Sequence, residues 1–158
     1  MTAFTLWKGV RISVILGGLV AILPGTASKP ALAADDLVLV NVAEAMSTAD
    51  YREKLDGSVK FYFGASPHPA VVENFGNVVT NKKTNGFAKS GGEACRWVLL
   101  SALIALQDDA RSRGANAVVN IKSYFKRNEV SNDTQAECYK GFFIASVALK
   151  GDIVKLAN

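Results

Sequence analysis

The sequence predicts an α+β domain of two layers, in which one long helix packs on an antiparallel-rich sheet in the order β-β-α-β-β. Three observations carry that expectation. Residues 91 to 113 hold a long helical pattern with stop signals at both ends. Segments rich in β-branched and aromatic residues stand in pairs on either side of it. The composition, 49% hydrophobic and 20% charged, is that of a chain with a core, and 158 residues are enough for one domain but too few for two comfortable ones.

The first 33 residues read as a cleaved secretory signal. Lys8 and Arg11 supply the positive end, and Ile12 to Leu23 is an apolar run of 12 residues broken only by Ser13, Gly17 and Gly18. A membrane span needs about 20 apolar residues, so this run is too short for an anchor. Pro24 and Gly25 stop a helix, and Ala31-Leu32-Ala33 is a small-x-small cleavage signature, which predicts a mature start near Ala34. The next cysteine is Cys95, far from the cleavage point, so no lipid anchor is predicted. The expected location is the periplasm, with no membrane span after cleavage.

Residues 34 to 58 form a helical lead-in. Asp35 and Asp36 precede the apolar Leu37-Val38-Leu39-Val40; Val42 to Ser47 suits a short helix, and Thr48 can cap a second one running to Leu55. Asp56-Gly57 is a turn signal. The α+β domain proper is expected over 59 to 158. Val59 to Phe63 reads as a strand, and Gly64-Ala65-Ser66-Pro67-His68-Pro69 reads as a loop because proline lacks a donor and biases its neighbour away from helix. Val71 to Thr80 reads as a second strand, with Gly76 marking a bulge or a close approach. Asn81 to Ser90 is polar and basic, with Lys82, Lys83 and Lys89.

Ser90 followed by Glu93 is a capping box for the long helix, and Gly114 stands where a left-handed C-cap is wanted. Between Trp97 and Leu106 only Ser101 is polar, so this helix needs cover on more than one side. Ala117 to Phe125 and Cys138 to Leu149 read as the two closing strands, the second apolar on both faces; Lys126 to Glu137 reads as a mobile, solvated connection. Either residues 34 to 58 or a second subunit must cover the surplus apolar surface.

Charge and motifs exclude several function classes. Without Lys8, Arg11 and Lys29, the 18 basic residues fall to 15 against 14 acids, too even for a polyanion binder. No phosphate-binding or dinucleotide glycine motif is present. His68 is the one histidine, and Ser66 is too near it in sequence to be a natural triad partner. Asp108-Asp109 reads as a solvated helix face, and Lys122-Ser123-Tyr124-Phe125-Lys126-Arg127 as a strand end with snorkelling lysines. No enzyme, no cofactor and no catalytic or metal-ligating residue is expected. Two cysteines in an exported chain favour a Cys95–Cys138 disulfide; the rival is a reactive thiol, since a helix N-terminus lowers a cysteine pKa.

Gly92-Glu93-Ala94-Cys95, the long helix, Gly114-Ala115-Asn116-Ala117-Val118-Val119, Cys138-Tyr139-Lys140 and Ile144-Ala145-Ser146-Val147-Ala148-Leu149 resemble the C-terminal core of the RcsF family of envelope-stress sensors. The same elements resemble the wider YbjQ-like family, which implies a dodecin-like fold and ring assembly. The mature chain also resembles small exported bacterial proteins often labelled as an excinuclease subunit. The resemblance to the sensors spans about residues 91 to 150 and implies that Cys95 and Cys138 match one of that family's two disulfides. A second disulfide has no counterpart, since Phe143 or its neighbour stands where a further cysteine would be. The functional expectation is an exported, non-catalytic binding or interaction module with an unknown protein or small-ligand partner in the envelope. The alternative is a ring-forming small-ligand or metal-binding protein, a homo-oligomer.

Overall fold

The computed structural model describes residues 35–157; the expected signal segment, 1–33, lies outside them. The architecture is α+β, a six-stranded, mostly antiparallel sheet with one long helix. In chain order the elements are β1 (Asp36–Asn41), α1 (Val42–Met46), α2 (Ala49–Lys54), β2 (Lys60–Phe63), β3 (Val71–Asn85), α3 (Gly91–Ser112), β4 (Ala117–Ser123), β5 (Gln135–Lys140) and β6 (Ile144–Leu156).

β6 organises the sheet. β3 runs antiparallel along it from Val71↔Leu156 to Asn85↔Ile144. Its other edge is shared: β5 takes the first part, through Tyr139↔Ser146 and Lys140↔Ala145, and β4 takes the rest, from Ser123↔Leu149 to Ala117↔Val154. β1 extends the sheet beyond β5, and β2 extends it beyond β4 as the one parallel pairing among the described residues. Both faces of β6 are largely buried, as its lack of clean alternation predicts. Val147, Leu149 and Ile153 join the main core, while Val154 and Leu156 join a smaller cluster with Ala117, Val119 and Tyr62.

α3 begins and ends as its sequence dictates. The Ser90 hydroxyl accepts from the Glu93 amide at 3.1 Å, and Gly114 takes the left-handed φ of +75° that lets the chain leave the helix. Val98, Leu99, Leu100, Leu103 and Leu106 are fully or almost fully buried. The sheet covers one side of them and the lead-in covers the other. Tyr51 of α2 is buried, and its hydroxyl donates to the Arg96 carbonyl at 2.7 Å. The cover is thus intramolecular on this side.

Burial pushes the Tyr51 phenol well above its ordinary value, against a smaller opposing pull from Arg96. The folded state therefore holds this proton more tightly than the unfolded chain does. That stabilisation is fully present below the unfolded pKa of about 10 and is lost as pH rises above it. Urea titrations at neutral and strongly alkaline pH should show stability falling above about pH 10, with a shallower fall for Tyr51→Phe. Equal slopes in both proteins would assign the alkaline loss to other groups.

Three segments differ from the sequence expectation. The lead-in is not only helical, because Leu37 to Val40 lies within a strand paired to β5. Residues 138 to 149 are not one strand: Gly141 donates to the Ile144 carbonyl at 2.8 Å and closes a hairpin loop at Phe142-Phe143, so Cys138 lies within β5 rather than at the start of the last strand. The expected connection is solvated from 126 to 134, where most residues are exposed, but it is shorter than expected and is tied down at both ends. Phe125 stacks on Tyr139 with centroids 3.7 Å apart, Val130 pairs with Ser123, and residues 135 to 137 already belong to β5. Burial inside β5 alternates strictly from Ala136 to Cys138, a pattern too short to stand out among polar neighbours.

Candidate interaction surface

The hairpin loop and the β3–α3 connection meet at one end of the molecule. The Gly86 amide donates to the Phe143 carbonyl at 2.8 Å, which ties the two loops together. Phe87 is turned outward by its own loop: its amide donates to Asn85 Oδ1 at 2.9 Å, and Ala88 follows with a φ of +57°. A non-glycine residue in that left-handed region is strained. The strain is held where the chain presents an aromatic ring.

Phe87, Phe142 and Phe143 form one cluster. Phe87 lies 5.6 Å from Phe142 edge-on and 5.8 Å from Phe143 in a stacked arrangement, and Phe142 meets Phe143 edge-on at 4.7 Å. The rings remain 53%, 72% and 64% exposed, with Ile144 beside them at 50%. Mutual contact fixes their geometry without removing them from water. Contiguous apolar surface of this kind marks a contact site far more often than scattered exposed residues do.

Basic groups border the cluster. Lys140 lies across Gly86 and donates from Nζ to the Gly141 carbonyl at 2.7 Å. Lys89 leads into α3. Beside Ile144 a shallow groove of about 430 Å³ is lined by Lys83, Lys126 and Ser146, with Asp35 as its acid. Lys126 and Arg127 both have positive φ and stay exposed beyond the Phe125–Tyr139 stack.

The residues singled out in the sequence fall elsewhere or have structural partners. Cys95 and Cys138 form a disulfide with Cα atoms 5.8 Å apart, both fully buried, joining the first turn of α3 to β5. His68 is exposed; its Nδ1 lies 2.8 Å from the Pro69 carbonyl oxygen and its ring meets Tyr62 edge-on. Ser66 is 3.5 Å from the Asp133 carbonyl in the same loop region. Asp109 pairs bidentately with Arg113, which also donates to the Phe75 carbonyl at 3.1 Å and so ties the end of α3 to the bulge in β3. Lys122 and Lys150 both pair with Glu129, whose carboxyl they hold below its ordinary pKa. Among the described residues no group of three or more His, Cys, Asp or Glu side chains gathers, and no helix is long and apolar enough to cross a membrane.

The phenylalanine cluster is absent from the sequence reading. Phe87 stands there in a polar, basic connection, and Phe142 and Phe143 on opposite faces of a strand. The available signal is the Gly141-Phe142-Phe143 tripeptide, a glycine before two large rings between β-forming runs. Comparisons with protein-family models, with curated proteins and with solved structures return no match to this chain.

Proposed function

We propose that the chain is an exported, periplasmic interaction module that works by binding rather than by catalysis. The observation that carries this reading is the exposed Phe87–Phe142–Phe143 cluster, three rings in mutual contact at one end of a well-packed fold. A cluster built only for folding would be buried, because each half-exposed ring forgoes part of the about 1.5–3 kcal/mol that full burial is worth. The buried cysteine pair agrees with an oxidising compartment, as does the leader pattern of residues 1 to 33. The resemblance to the RcsF and YbjQ-like families supports the same placement through Gly92 to Cys95 and the Cys95–Cys138 pair.

The test places a photoreactive p-benzoylphenylalanine at Phe142 in the expressing cell, with the same group at exposed Asp108 on α3 as the control. Adducts from position 142 and none from position 108 are expected. Equal labelling from both positions, or none, would remove the aromatic end as the contact site. Intact mass of the recovered protein should give a start at or near Ala34, and retention of Met1 would contradict the export reading.

A further inference from the structure

The geometry points to an anionic phospholipid surface as the occupant of the aromatic end, an inference that rests on the reading of that end as the contact site. Three properties favour lipid over a folded partner. The cluster is convex: Phe142 and Phe143 form the loop of a hairpin, and Phe87 stands on a neighbouring loop bonded to it. A projecting tip suits a deformable apolar medium, whereas a protein partner would need a matching deep pocket. The rings carry no polar atom, so nothing on them needs a hydrogen-bond partner once immersed in acyl chains.

The border is cationic and made of long side chains. Lys89 and Lys140 belong to the two loops that carry the rings, and Lys83 and Lys126 line the groove beside Ile144; the acids there are Asp35, whose carboxylate lies against Gly141, and Asp36, opposite Lys140, so cations outnumber acids. Such side chains lay their methylenes along apolar surface while the ammonium stays in the headgroup layer. Apolar rings below and cations level with the headgroups is the arrangement of an interfacial anchor on an anionic leaflet. The protein as a whole is nearly neutral after the leader, so the attraction comes from this local border and not from bulk charge.

The test uses protein recovered after export, sedimented with vesicles of mixed phosphatidylglycerol and phosphatidylcholine and with vesicles of phosphatidylcholine alone. Binding to the mixed vesicles is expected, weakened by added salt. The variant Phe87→Ser/Phe142→Ser/Phe143→Ser should bind about tenfold or more weakly. Lys83→Gln/Lys126→Gln should erase the preference for the mixed vesicles. If the triple variant fails to fold, Phe142→Ser alone, at the most exposed ring, carries the comparison. Wild type and variants keep the same N-terminus, so any contribution from that segment cancels. Absence of binding to either vesicle, or binding equal in wild type and the phenylalanine variant, overturns the lipid assignment. Protein adducts from position 142 together with absent vesicle binding would overturn it while leaving the contact site in place. No adducts and no vesicle binding would overturn both.

Discussion

Replacing Leu103 by alanine should destabilise the protein by about 3–5 kcal/mol, among the largest effects expected of a single side chain here. Leu103 is fully buried at the centre of α3, within the core shared by the helix and the sheet. Truncation removes the transfer free energy of the lost carbons and leaves a cavity that the rigid sheet cannot collapse to fill. The urea midpoint of Leu103→Ala should fall while the slope stays constant. Ser101, exposed on the same helix, provides the control: Ser101→Ala should shift stability by no more than about 0.5 kcal/mol. Similar losses in both variants would mean that α3 is not packed as described.

The double variant Cys95→Ala/Cys138→Ala should lose about 2–4 kcal/mol, a fall of very roughly 10 °C in melting temperature for a domain of this size. The bond spans 43 positions of sequence, and closing a loop of that length restricts the unfolded chain. Its place in the fold adds a local consequence. β5 pairs with β6 at only two positions, Tyr139↔Ser146 and Lys140↔Ala145, and β1 is attached to the sheet through β5. The disulfide anchors that outer pair of strands to the start of α3. Amide exchange in β1 and β5 should therefore accelerate more than exchange in β3, which is paired along nearly the whole length of β6. Two free thiols in freshly isolated native protein, with an unchanged melting point in the double variant, would refute the structural role.

Much of the fold is legible locally. α3 announces itself through Ser90, Glu93, Gly114 and an apolar surface wider than one stripe, because caps and helical periodicity depend on neighbours within a few residues. The two short lead-in helices and the bulge near Gly76 also stand where the sequence places them, although the Thr48 hydroxyl caps no amide of its helix and donates to the Ala45 carbonyl instead. The cysteine pair is legible through its even count and through a leader pattern of the kind that goes with an oxidising compartment.

Other features exist only once distant segments meet. The run from Leu37 to Val40 becomes a strand because β5, about a hundred residues away, offers its edge; strand formation depends on a partner that no local window contains. The hairpin at Phe142-Phe143 is obscured because both flanking segments are β-forming and the turn carries two large rings. The aromatic end is the furthest from a linear reading. Phe87 joins Phe142 and Phe143 only because β3 and β6 pair along their full lengths, bringing Asn85 opposite Ile144 and the two loops into hydrogen-bond contact. The sequence by itself thus determined the helix, its caps and the two-layer class, all products of short-range sterics and hydrophobic periodicity. Tertiary structure alone decided which residues share a surface, because that depends on strand register, and a register shift of one residue sends every side chain of the strand to the other face.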